Sequence, residues 1–167
     1  NRVLATIVNQ ASEAIMAKDL DNVIRIWNAG AERLYGHSAE EAVGRAVTDL
    51  IEAVRSPQSA TTSLRRIRER RSESWEAWHR TRDGRDLHVA ISASPMFDES
   101  GNHVGEISVT RDITERKKAE AQLKALNEGL EAKVRERTAR LRDLAAQLTQ
   151  AESRERRRIA DVLHEDL

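Results

Sequence analysis

"IRIWNAGAERLYGHSAEEAVGR" (Ile24–Arg45) changes its periodicity twice. Val23, Ile24, Ile26 and Trp27 suit a half-buried strand entered from a turn at Asp21-Asn22. Asn28 can then cap a short helix, because its side-chain oxygen accepts an amide proton that a helix start leaves unpaired. Gly36 stops that helix, since glycine adopts the left-handed conformation in which helices commonly end. Ser38 with Glu41 spells a capping box for a second short helix, which Gly44 closes. A strand followed at once by two short capped helices points to a mixed domain rather than a bundle.

The flanks extend this reading. Upstream, "LATIVNQASEAIMAKD" begins with apolar residues at helical spacing and turns strand-like at Ala14–Ala17. Downstream, "VTDLIEAVR" and "SPQSATTSLRRIRERR" predict helices, with Pro57 at an early helical position. "SWEAWHRTR" then runs to an Asp83-Gly84 turn, and "RDLHVAISASPMF" is its hairpin partner. Leu87, Val89, Ile91 and Ala93 alternate with Asp86, His88, Ala90 and Ser92, which puts the two sets on opposite faces. "DESGN" makes the next turn and "HVGEISVTRDI" the last strand. Two strands, a helical stretch and three antiparallel strands predict an α+β domain over residues 1–113, with a short N-terminal helical flank.

Beyond that point the composition changes. All three tryptophans, Tyr35, Phe97, both prolines and six of the seven glycines precede residue 112, so turn-formers and aromatics have all but vanished from the rest. Leu, Ala, Glu, Lys and Arg dominate instead, the makeup of a long helix. Asp112 and Glu115 form an expected capping box, with Thr114 as the alternative cap. Leu123, Leu126, Leu130, Val134, Leu141, Leu144, Leu148, Ile159 and Leu163 follow at steps of three, four, seven and eleven. That is a coiled-coil seam whose eleven-residue steps locally unwind the supercoil. A helix of this kind would be about 80 Å long at about 1.5 Å per residue. It cannot bury its stripe alone, so a parallel homodimer is expected, with a solvated single helix as the alternative. The divisions are 1–113, a connecting coiled coil over 114–151, and a final helical segment over 152–167.

"IRIWNAGAERLYGHSAEEAVGR", the "TRDGR" turn and "ASPMFDESGNHVGEISVTRDITERKKAE", in that order and spacing, closely resemble the PAS sensory domain family. The resemblance implies a five-stranded antiparallel sheet with helices, a pocket able to hold a ligand, and dimerisation through flanking helices. It also bears on cofactors. Haem-binding relatives take a histidine from the helix before the last three strands, and residues 56–71 contain none. Light-sensing relatives need a cysteine beside flavin, and this chain has no cysteine. His79 and His88 are placed to face each other across the hairpin, but a pair lacks a third metal ligand at recognisable spacing. Both read as ordinary strand histidines. Trp75 and Trp78 should lie on opposite faces, one in the core and one on a dimer surface. No covalent, haem or metal cofactor is expected, while a small-molecule ligand and an empty core both stay open.

"LNEGLEAKVRERTARLRDLAAQL" resembles the connectors that follow PAS domains in histidine kinases, and "ERRRIADVLHEDL" resembles a histidine kinase phosphoacceptor motif. The resemblance assigns His164 as phosphoacceptor and Glu165 as its acidic neighbour. Neutral imidazole is a competent nucleophile near pH 7, and Glu165 can take its proton or fix its tautomer. On a helical wheel His164 lies about 140° from Ile159, away from the seam. The chain opens on Asn1 and stops just past His164, so it reads as a piece of a longer sensor histidine kinase. It contains no glycine-rich phosphate loop. ATP and Mg2+ would be handled elsewhere in the full-length enzyme, and this fragment should be inactive alone. A response-regulator receiver domain is the expected partner.

The same residues bear on other outputs and partners. A PAS dimerisation or ligand-binding module driving another output, such as a cyclic-dinucleotide synthase, is the alternative. Nucleic acid is not expected: 28 basic residues balance 28 acidic ones, which leaves no net field to attract it. The run at Arg154 and Arg156–Arg158 is also interrupted by Glu152, Glu155 and Asp161. No apolar run approaches the roughly 20 residues that cross a bilayer, and the first ten residues are not a signal peptide. The expected location is cytoplasmic, with a membrane anchor outside these limits left open.

Overall fold

A computed structural model of the chain describes residues 2–55 and 72–165. The helix expected over 56–71, with Pro57, lies outside the described residues. Helix α1 (Arg2–Gln10) leads into β1 (Ala14–Asp19) and β2 (Ile24–Trp27). Helices α2 (Ala29–Tyr35) and α3 (Ala39–Ala42) follow, then a 3-10 turn at Val47–Asp49. Strands β3 (Glu52–Arg55), β4 (Glu73–Arg80), β5 (Asp86–Phe97) and β6 (His103–Asp112) complete the sheet. Helix α4 (Thr114–Glu165) ends the described chain. The fold class is the expected one, an α+β domain of antiparallel strands followed by a long helix.

The strand order is β2-β1-β6-β5-β4-β3, so the first and last strands in sequence meet at the sheet centre. Among the described residues six strands are present where the resemblance implies five. The sixth comes from "VTDLIEAVR", which the sequence predicts as a helix. Its middle, Leu50 and Ile51, is buried in the core, and Glu52–Arg55 pairs along the edge of β4. A helix this short is marginal in water without tertiary support, whereas the β4 edge offers ladder hydrogen bonds and an Arg80–Glu52 ion pair at 3.2 Å.

The caps read at Asn28, Gly36 and Ser38 form as expected, while α3 ends at Val43 rather than at Gly44, whose N–H bonds instead to Ile24 O. Asn28 accepts from Ala31 N, Ser38 and Glu41 make both halves of a capping box, and Gly36 ends α2 at φ 81°. Asn28 does more than cap. It is fully buried, accepts a second proton from Ile15 N at 2.8 Å, and donates to the carbonyls of Val8 and Glu13 at 2.7 and 3.1 Å. One side chain therefore joins α1, β1 and α2. Two positions along, a Cβ on Gly30 would collide with the Glu13 carbonyl, so only glycine lets α2 pack this closely.

The hairpin differs from its prediction by one residue. A two-residue Asp83-Gly84 turn would set His79 opposite His88. Instead Thr81 N bonds to Arg85 O at 2.9 Å around a three-residue loop, with Gly84 at φ 84°, a common alternative hairpin connection. His79 now pairs with Leu87 and Trp78 with His88. A one-residue slip sends a side chain to the other face, so the two histidines do not face each other. His88 stacks on Trp78 with ring centroids 4.6 Å apart, and Trp75 lies on the opposite, inner face across from Ile91.

The inner face carries Ala14, Met16, Ile24, Trp27, Ala77, Val89 and Ile91, closed over by Ala31, Tyr35 and Ala42. On β6 the polarity is reversed. Glu106, Ser108 and Thr110 point inward beside Lys18, Met16 and Ile91, while Ile107 and Val109 lie on the outer face. No described helix is long and apolar enough to cross a membrane.

Candidate functional site

The polar inner face of β6 lines a cavity of about 210 Å³. Met16, Val47, Ile51, Trp75 and Ile91 give it apolar walls, and His79, Ser108 and Thr110 face it with polar groups. Lys18 and Glu106 sit at its margin as an ion pair at 2.9 Å, each side chain almost covered. Each of these two charges thus meets its opposite. Thr110 is 1% exposed, and its hydroxyl has no hydrogen-bond partner among the described residues. It lies close enough to the Tyr35 phenol to offset part of that group's shift, but not in bonding geometry.

Tyr35 is fully buried and its hydroxyl meets His79 Nδ1 at 3.0 Å. Burial pushes the phenol well above its ordinary pKa and pulls the imidazole down to about 4. Both groups are therefore uncharged at neutral pH. Either group can be the donor across this contact, according to the imidazole tautomer.

A pH dependence follows. His79 has a folded pKa below its unfolded value of about 6.5, so between pH 6.5 and 4 the unfolded chain binds the extra proton. Stability contributed by neutral His79 is present above pH 6.5 and lost as pH falls towards 4. The loss should reach on the order of 3 kcal/mol. Urea unfolding at pH 7 and pH 4.5 should show a smaller difference in His79→Gln than in wild type. Equal differences would remove His79 as its source.

The second feature is the junction of β6 with α4. Ile113 is buried, its N–H donates to His88 O at 2.8 Å, and His88 N–H donates to Thr114 Oγ1 at 2.9 Å. The expected Asp112–Glu115 capping box is replaced by another arrangement. Asp112 accepts from Thr114 N at 2.8 Å, while Glu115 reaches forward to Lys118 at 2.9 Å. Glu76, on the outer face of β4, receives Lys117 at 2.9 Å and His88 Nε2 at 3.1 Å, with Arg116 at 3.8 Å. Lys117 above all holds its carboxyl below the ordinary carboxylate range. The first turn of α4 is thus gripped by backbone bonds and by a charge cluster.

Residues 119–167 form a second unit. Its helix carries the expected stripe uncovered: Leu123, Leu126, Leu130, Val134, Leu141, Leu144, Leu148, Ile159 and Leu163 are each about half exposed or more. Val162 joins them. The predicted phosphoacceptor pair, His164 and Glu165, occupies the last two residues of α4.

Residues 12–115 match the family described as PAS domain. The chain is a PAS domain protein. Among curated relatives, Two-component system protein A of Emericella nidulans is 40% identical over 110 residues, and the C4-dicarboxylate transport sensor protein DctS of Rhodobacter capsulatus is 31% identical over 120. The aligned stretches cover 65% and 68% of this chain but only 16% and 18% of those proteins. Among solved structures, the PAS domain of a Colwellia psychrerythraea protein superposes with a TM-score of 0.59 at 25% identity, over 68% of this chain and 97% of that one. The PAS region therefore has relatives in proteins named for two-component and sensor systems.

In the sequence His79 reads as an ordinary strand histidine, and nothing local marks Ser108 and Thr110 as lining a cavity. Their signal was present in the alternation of "EISVT", but which set faces inward depends on pairing with β1 and β5.

Proposed function

We propose that this chain is the sensory and signal-transmitting part of a two-component histidine kinase. The PAS sheet receives a stimulus, and two copies of α4 pair in parallel to carry it. His164 accepts a phosphoryl group from ATP and passes it to an aspartate on a response-regulator receiver domain. The observation that carries this reading is one unbroken helix, from the bonded junction at Thr114 to the "ERRRIADVLHEDL" segment. The names of the two curated relatives support it.

In the proposed step a neutral imidazole nitrogen attacks the γ-phosphorus, an N–P bond forms, and the bond to the ADP oxygen breaks. Glu165 takes the ring proton or holds the tautomer that exposes the attacking nitrogen. Mg2+ would neutralise the phosphate charge within a nucleotide-binding region that these residues do not supply. Control works through the rod, because packed helices switch between a few discrete arrangements rather than deforming continuously.

The test uses the longer natural polypeptide with γ-labelled ATP. Wild type should acquire acid-labile label, and His164→Gln should lose essentially all of it. Label that persists undiminished in the variant would refute the assignment.

A further inference from the structure

One carboxylate on the sheet gathers the charges at the start of α4. Glu76 Oε2 receives Lys117 Nζ at 2.9 Å and His88 Nε2 at 3.1 Å, and Arg116 approaches Oε1 at 3.8 Å. The His88 ring is itself fixed, stacked on Trp78 with centroids 4.6 Å apart. Strands β4 and β5 thus present a positioned acceptor to the first turn of the helix. At about 100° per residue, Leu123, Leu126 and Leu130 stand roughly 120° to 180° around α4 from Lys117. The face that Glu76 holds and the face that carries the seam are therefore different faces of one stiff helix. Turning Lys117 turns the leucines with it. The Glu76 and Lys117 side chains are 42% and 34% exposed, and an ion pair so exposed adds little to folding. A free energy too small to matter for folding still shifts the balance between two nearly equal packings of a helix pair.

We propose that Glu76 is the positioning residue that sets the rotational phase in which two α4 helices meet. Its carboxylate draws Lys117 and Arg116 to β4, and with them held, one of the few discrete packings of the pair is favoured. Reversing that charge sets Lys117, Arg116 and a cation at position 76 against one another. The first turn is then pushed off β4, and the seam rotates towards a neighbouring packing. This role rests on the paired helices of the proposed function and names the residue through which the sheet acts on them.

The test uses the whole 167-residue chain, which has no cysteine of its own. A single cysteine placed in turn at each of positions 121–130 then reports, by disulfide yield under mild oxidation, which side of α4 faces its partner. With Glu76 intact the yield should peak at Leu123→Cys, Leu126→Cys and Leu130→Cys. Gln122 and Asn127 flank that stripe on either side. In Glu76→Lys, the yield at one of these two flanking positions should rise at least about threefold relative to Leu123→Cys, within the range that one exposed charge pair can supply. Glu76→Gln, the milder change, should move the pattern in the same sense. Glu76→Lys combined with Lys117→Glu restores an opposite pair and should bring the pattern back. The urea midpoint of the sheet domain should stay close to wild type throughout, which separates a positioning role from a structural one. A pattern unchanged by Glu76→Lys and Glu76→Gln, or changed and not brought back by the swap, would overturn the role of Glu76 and leave the dimer standing. No cross-link at any position with Glu76 intact would overturn it together with the paired helices. Disulfide yield is read without any kinase activity, so either failure leaves the assignment of His164 to its own test.

Discussion

Asn28→Ala is expected to lower the stability of the sheet domain by about 3–5 kcal/mol, read from tryptophan fluorescence in urea. The side chain is fully buried and serves four backbone groups: the N–H of Ile15 and Ala31, and the C=O of Val8 and Glu13. Alanine supplies none of these partners. Each group left buried and unpaired costs about 1–3 kcal/mol, and the lost helix cap accounts for about 1 kcal/mol of the total. Water reaching Val8, which is only partly buried, reduces the sum. Against a typical domain stability of about 5–15 kcal/mol, such a loss leaves the sheet marginal. Asn28→Asp separates the two halves of the network. It keeps an acceptor for Ile15 and Ala31 but turns a carboxylate oxygen towards two carbonyls, so it should also destabilise. A loss below about 1 kcal/mol in the alanine variant would mean that these bonds are readily replaced by water.

What the sequence reveals about this fold is what short-range chemistry decides. The capping roles of Asn28, Ser38, Glu41 and Gly36 involve neighbours within four residues and are legible without tertiary information, whereas the bonds from Asn28 to Val8, Glu13 and Ile15 are not. The long helix is legible too, because a stretch without proline or aromatics and with apolar residues at steps of three and four has few alternatives. Pairing is where the reading fails. Strand β3 exists because the β4 edge is available to Glu52–Arg55, and nothing local in "VTDLIEAVR" says so. The Asp83-Gly84 pair suggests two turn residues, whereas the loop uses three, and that one-residue difference alone separates His79 from His88. The cavity suffers from the same dependence. In "EISVT" either Ile107 and Val109 or Ser108 and Thr110 can face inward on hydropathy alone. The buried choice is the polar one, set by Met16 opposite Ser108 and Ile91 opposite Thr110. An inward polar set is unfavourable for packing, which is why such a departure points to function rather than to stability.

Leu141→Glu combined with Leu144→Glu should convert the proposed dimer to a monomer of 18.9 kDa. Light scattering after gel filtration measures this directly. In the single chain these leucines are 67% and 47% exposed, within a stripe that runs from Leu123 to Leu163. On a straight helix that stripe stays on one side even across its eleven-residue steps, because eleven residues make close to three full turns. Burying a leucine is worth about 1.5–3 kcal/mol. Four of them per dimer therefore contribute about 6–12 kcal/mol, at least four decades in Kd. The glutamates do more than remove that gain, since they bring like charges into the seam. The competing picture is a solitary helix held by pairs such as Glu131–Arg135 and Glu152–Arg156. Each exposed pair of that kind is worth only about 0.3–0.5 kcal/mol, too little to give such a helix a reason to display ten aligned apolar residues. Glu136→Lys, off the seam, should leave the dimer intact. The double variant should also lose helical ellipticity at 222 nm, because an unpaired helix frays. A wild-type chain that already runs as a monomer, or a double variant that stays dimeric, would remove the coiled coil from the proposed route between the PAS sheet and His164.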